Sequence, residues 1–242
     1  MINSFRSLSR FGAPLAFVMI AGSYECRAAS PDISNFGQLA QVTPAAARTP
    51  AAADSNKKLR DAAEPFEKLT EISFSAALPK IDRTIREAEA AAQGARGVLS
   101  NDAANQLDGQ ISAMNSARQK QDRASLALSS IEAYRVLVSA VTDKAKVPTE
   151  VSLLDYAGFR YDADLKATPV RWGDMAEAVS FARKTWVTFA PTVKSSPLAM
   201  EFEKAISNMD TAVVTKSKQR ASSSVKTELD LVDRLEKFFS AQ

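Results

Sequence analysis

Histidine is absent from this 242-residue chain, and cysteine occurs once, at Cys26. Without imidazole there is no histidine-ligated haem, no HExxH zinc site, no Ser-His-Asp or Cys-His triad and no Cys/His zinc finger. Di-iron centres built from Glu-x-x-His pairs are excluded with them. The phosphate-cradling GxGxxG and GxxxxGK[ST] patterns and the GxSxG nucleophile elbow are missing too. Glu64, Glu67, Glu71 and Glu177 are available for carboxylate-pair catalysis, but each sits in an ordinary charged helical context. The expectation is a protein that is not an enzyme and carries no cofactor.

Long apolar runs are scarce as well. The clearest, Gly12 to Gly22 (GAPLAFVMIAG), follows Arg6 and Arg10 and precedes Arg27-Ala28-Ala29-Ser30. A positive start, a short apolar stretch and a small-residue site are the parts of a secretory signal peptide, expected over residues 1–29 with cleavage near Ala28 to Ser30. The run is about half of the roughly 20 residues that span a bilayer, which argues against a retained anchor. Ser23-Tyr24-Glu25 is a poor lead-in to a lipid-modified cysteine, so Cys26 is expected to leave with the leader. No later window is long and apolar enough to cross a membrane. The chain is therefore expected in the periplasm or secreted, without disulfides and stabilised by packing. Loss of Arg6, Arg10, Arg27 and Glu25 changes the charge balance from 31 − 28 = +3 to 28 − 27 = +1. A body so close to neutral has no general attraction for nucleic acid.

What remains reads as helix. Residues 30–55, with Pro31, Pro44 and Pro50 among Ala, Thr and Gln, form a linker too poor in large apolar groups to order itself. Residues 56–242 form the folded domain. Phe66, Leu69, Ile72, Leu78, Ile81 and Ile85 recur at spacings of three or four and predict a helix to about Gln93, kinked or interrupted at Pro79. A near-heptad stripe from Leu107 to Val141 predicts a second helix of about forty residues, some 60 Å long. Polar Gln121 sits on that stripe, either fixing register or marking a bend. Pro148 to about Leu165 is a separate helix or a kinked continuation. Trp172 to Phe189 is another helix, and Leu198 to Phe239 the last, with a polar waist at 215–224 where Lys216, Lys218 and Arg220 cluster. No segment alternates with period two. The expected fold is all-α, an antiparallel up-down helical bundle of four to five helices, with stripes long enough to allow a homodimer.

The chain is low in aromatics, at 7%, yet Leu153 to Asp174 concentrates them. Tyr156, Phe159, Arg160, Tyr161, Arg171 and Trp172 are the candidate binding residues, because aromatic and arginine side chains anchor recognition surfaces. The alternative is that these rings pack the end of the bundle. Asp155, Asp162, Asp164 and Asp174 offer hard oxygen ligands for a divalent cation, although their spacing is not that of a calcium loop and Asp162 and Asp164 diverge on an ideal helix. The functional expectation is an exported accessory, scaffold or chaperone-like protein that binds another envelope protein. The competing expectation is a carrier of a small ligand or divalent cation.

Overall fold

The computed structural model describes residues 50–142 and 145–242. The expected signal peptide, Cys26 and the linker before Pro50 lie outside the described residues. Among the described residues there are eight α-helices and no strand, so the fold is all-helical with more helices than the four to five expected. They are α1 (Pro50–Ile72), α2 (Leu78–Ala95), α3 (Asn101–Gln119), α4 (Arg123–Ser139), α5 (Thr149–Lys166), α6 (Trp172–Phe189), α7 (Ser196–Val214) and α8 (Lys218–Ser240). Short 3-10 turns, Arg96–Val98 and Ala190–Thr192, precede α3 and α7. None of these helices is long and apolar enough to cross a membrane. Because α1 starts at Pro50, the last residues assigned to the linker are helical.

Two of the surplus helices arise where an apolar stripe resumes beyond a reversal, and the third where the run from Phe66 to Gln93 divides into α1 and α2 ahead of Pro79. The forty-residue helix expected from Leu107 to Val141 is α3 and α4, broken at Gln121, whose φ is 56°. The expected last helix is α7 and α8, broken at Lys216 with φ 48°. Both turns use the same hydrogen bonds. Asp122 N–H donates to the Ala117 carbonyl at 2.9 Å and Gln121 N–H to that of Arg118, while Ser217 N–H donates to Ala212 at 3.0 Å and Lys216 N–H to Val213. These are Schellman caps, in which the left-handed residue is ordinarily glycine. The next residue then caps the following helix: the Asp122 carboxylate accepts from Ser125 N–H and the Ser217 hydroxyl from Arg220 N–H. With no glycine to mark the turn, Gln121 and the polar waist at 215–224 read as interruptions within one helix. Segment 148–168 is resolved as its own helix, α5, opened by Pro148 as N-cap.

The helices fall into two sets of four. In the first, α1 packs on α2 and α4, and α3 on α4; in the second, α5 packs on α6 and α8, and α7 on α6 and α8. Each set encloses its own apolar cluster, one around Phe66, Leu69, Ile81 and Leu137, the other around Trp186, Phe202, Met209 and Leu235. Contact between α4 and α5 joins them.

The second set repeats the first. The caps Ser100 and Ser195 define a shift of 195 − 100 = 95 residues, and the turns at Gln121 and Lys216 obey it. So do the buried positions: Leu59, Ala62 and Phe66 of α1 correspond to Leu154, Ala157 and Tyr161 of α5, and Leu107, Met114 and Ala117 of α3 to Phe202, Met209 and Ala212 of α7. Helices α2 and α6 match with one residue less, Ile81, Ile85 and Ala88 standing for Met175, Val179 and Ala182. At two buried positions an apolar side chain of the first set gives way to an acid. Leu69 and Ala133 of the first set become Asp164 and Glu228 in the second, and both carboxyl groups lack any hydrogen-bond partner.

Glu228 is fully enclosed where α8 meets α5. Its counterpart pair in the first set is Ala133 with Ala63, and here the partner position is Gly158. A Cβ on Gly158 would overlap Glu228 Oε2 and approach Leu229 Cδ2 to 2.7 Å, so the missing side chain makes room for the acid. Burial holds the Glu228 pKa well above the ordinary carboxyl value. An acid with a raised folded-state pKa costs nothing below its unfolded pKa and destabilises increasingly as pH climbs toward the folded value.

Two predictions follow from these contacts. Gly158→Ala destabilises the protein by about 1–3 kcal/mol through overpacking, and Glu228→Ala in the same chain recovers most of that loss, a coupling measurable by a double-mutant cycle in urea. Replacing Lys216 or Gln121 by Gly relieves a left-handed conformation that costs an L-residue roughly 1–2 kcal/mol; the melting temperature is expected to rise, and a fall in both variants would contradict the turn assignment.

Candidate functional site

The α4–α5 contact is built around one carboxylate. Glu132 on α4 accepts from the Tyr156 hydroxyl at 2.7 Å through Oε1 and from Arg135 Nε at 2.9 Å through Oε2. Arg160, one turn beyond Tyr156 on α5, brings Nε to 3.6 Å from Glu132 and donates from Nη2 to Glu177 on α6 at 2.9 Å. The Tyr156 ring is buried, edge-on to Phe181 at 5.1 Å, with the Arg135 guanidinium 5.7 Å above it. Burial, followed by the charge of Glu132, pushes the phenol pKa up to about 12.

Beside this network lies a pocket of about 280 Å³ lined by Gln110, Ser125, Leu128, Ser129, Glu132, Arg160, Asp164, Arg171 and Asp174. One wall is α4, with a Gln from α3; the other is the end of α5 and the start of α6. The α5–α6 link, residues 167–171, is closed by Arg171 N–H donating to the Asp164 carbonyl at 3.1 Å. That closure sets Arg171 and Asp174 of the α6 N-terminus beside the Asp164 side chain.

Asp164 is the unusual member. Its side chain is 1% exposed, and neither oxygen has a partner. Desolvation raises its pKa to about 7; Asp174 adds to the rise, and Arg160 and Arg171 oppose it. Both arginines are thus close enough to be felt, but neither makes a hydrogen bond with it.

The candidate residues separate into groups. Arg160 and Arg171 line the pocket together, with Asp164 and Asp174. Tyr156 backs it from behind Glu132. Tyr161 belongs to the second apolar cluster, 0% exposed, its hydroxyl donating to the Met209 carbonyl at 3.2 Å. Phe159 is half-buried against the first cluster and Trp172 against the second. The four aspartates proposed as cation ligands do not converge, and no group of three acidic side chains able to hold a metal occurs among the described residues. Asp162 pairs with Lys166 at 2.5 Å. Asp155 feels Glu67 of α1 and Glu228, Asp233 and Glu236 of α8, and burial with their charges holds its pKa well above the usual value. Lys216, Lys218 and Arg220 lie exposed at the α7–α8 turn, away from the pocket lining.

Sequence reasoning missed Gln110, Ser125, Ser129 and Glu132. The signal was present, since Ser125, Ser129 and Glu132 fall at i, i+4 and i+7, a polar stripe along a helix buried on its other sides. None of the family models, curated proteins and solved structures compared with the chain matches it.

Asp164→Leu installs the residue type of the equivalent Leu69 and removes an uncompensated buried polar group worth about 1–3 kcal/mol. The folded-state pKa near 7 lies above the usual 3.8, so the burden on stability grows from about pH 4 and is complete above pH 7. Urea titrations should show Asp164→Leu more stable than the parent chain, by more at pH 8 than at pH 4. Equal or lower stability at pH 8 would show that the carboxyl is solvated or paired.

Proposed function

We propose that this chain is an exported, non-catalytic helical-bundle protein that binds a small polar ligand in the pocket between α4, α5 and α6. The observation that carries the reading is the buried, unpartnered Asp164 on the pocket wall. A fold that seats leucine at the equivalent place has no structural need for a carboxyl there, and a binding site is one setting in which a protein keeps such a group at a cost in stability. The pocket supplies both charge signs and hydroxyl groups in a concave site, the usual composition of a small-molecule site. Export to the periplasm or medium is proposed from the leader-like residues 1–29, and each half is proposed to be an up-down four-helix unit closed by tight turns.

Docking to an envelope protein is the lesser proposal. The rings that would have anchored it, Tyr156 and Tyr161, are buried at 1% and 0% exposure, whereas anchors of a recognition surface must reach the partner.

A ligand that binds only the folded state adds about 2.7 kcal/mol of stability at 100 times its Kd. Thermal melts of the full chain with pools of small polar metabolites are expected to show a rise with at least one pool, lost in Asp164→Leu. No rise with any pool, together with a specific crosslink to an envelope protein, would favour docking instead.

A further inference from the structure

The charged groups around the pocket are not equally engaged. Arg160 is committed to Glu132, Tyr156 and Glu177. Arg171 is exposed and makes no side-chain hydrogen bond or ion pair among the described residues. Asp164 is enclosed with both oxygens unpartnered. The pocket therefore holds two carboxylates without a hydrogen-bond or ion-pair partner among the described residues, Asp164 in its wall and Asp174 on its lining, and one such cation, Arg171. Asp164 and Arg171 have no charged counterpart in the first half, where Leu69 and the α2 N-cap Ala77 take the places of Asp164 and the α6 N-cap Arg171.

From this arrangement we infer that the ligand is a small zwitterion of the amino-acid type, its ammonium group held by Asp164 and its acid group by Arg171. The inference rests on the reading of this pocket as a ligand site. A carboxylate is an acceptor only, and an ammonium group brings three donors in a compact head, which satisfies two enclosed oxygens at once. A guanidinium would satisfy them too, through a planar fork of donors in place of a compact head. The pocket volume of about 280 Å³ falls just under the roughly 300–1,000 Å³ of sites for drug-sized ligands and suits a molecule of amino-acid size. A divalent cation fits less well. It seeks about six oxygens, and Glu132 already gives both of its oxygens to Tyr156 and Arg135.

Binding of an ammonium requires Asp164 ionised, so uptake is linked to loss of its proton. The groups that face Asp164 are Asp174 from α6, Arg171 from the link, Arg160 from α5 itself and Glu132 from α4. With its pKa near 7, the ionised fraction drops about tenfold between pH 8 and pH 6, and affinity drops with it.

The test is isothermal titration calorimetry on the full chain at pH 8 and pH 6, with glycine and γ-aminobutyrate as zwitterions, ethylamine, acetate, glucose and Ca²⁺. One or both zwitterions should bind most tightly, about tenfold more weakly at pH 6. Asp164→Asn, which keeps the volume of the side chain, should weaken binding at least tenfold and abolish its pH dependence; Arg171→Gln should weaken zwitterions and acetate but not ethylamine. Circular dichroism melts confirm that both variants fold. Tighter binding of acetate, glucose or Ca²⁺ than of any amine, lost on Asp164→Asn, overturns the zwitterion and leaves the pocket as a ligand site. Binding of zwitterions unaltered by Asp164→Asn also overturns it. No heat with any probe overturns the inference and the reading beneath it.

Discussion

Helix α4 is buried on nearly every side, and the rest of the structure is arranged around that constraint. It packs on α1 and α3 within its own half and on α5 of the other, so residues as different in direction as Leu126, Ala127, Ser130, Ile131 and Tyr134 are all enclosed. A helix covered in this way must be apolar or pair what polarity it has. Its serines do so locally, Ser129 and Ser130 donating to backbone carbonyls one turn back. Glu132 does so across the seam, binding Tyr156 and Arg160 of α5 while Arg135 braces it from α4 itself. The joint between the halves and the floor of the pocket are consequently one network.

The internal repeat makes that network interpretable. Two halves with the same element order, the same non-glycine turns and matching buried positions provide a reference within a single chain for what the fold alone requires. Most differences keep apolar character, as where Phe66 answers to Tyr161 or Ala92 to Trp186. Asp164 and Glu228 do not. Glu228 is matched by the loss of a side chain at Gly158 and contributes a pH-dependent strain to the α5–α8 contact. Asp164 is matched by nothing within the protein, and it lines a pocket. The physics of burial is alike in both; only Asp164 is a residue of a pocket lining.

The all-helical character was legible in the sequence because three- and four-residue spacings of apolar groups persist through every segment. Helix number was not. Gln121 and Lys216 occupy positions where glycine ordinarily signals the end of a helix, and the stripe on either side of each continues at nearly the same phase because both helices face one core. Pro79 and Pro148 did mark their boundaries, one in a first turn and the other at an N-cap, where the helix makes no use of the amide donor that proline lacks. At the site, the segment from Leu153 to Asp174 pointed to Arg160, Arg171, Asp164 and Asp174. It gave no means of separating these from Tyr161 or Asp162, whose directions depend on where α5 ends and how α6 returns. The α4 contribution required knowing that Ser125, Ser129 and Glu132 face α5, which is a tertiary fact.

The proposed ligand site depends most on the state of one carboxyl group. Carbon-13 NMR titration of the Asp164 side chain, assigned by comparison with Asp164→Asn, reads it directly. A midpoint near 7 in the free protein, falling when a saturating zwitterion is added, is the predicted result. A midpoint near the ordinary aspartate value of about 4, unmoved by ligand, would mean that the group is already solvated or paired and that the pocket has no unmet charge to offer.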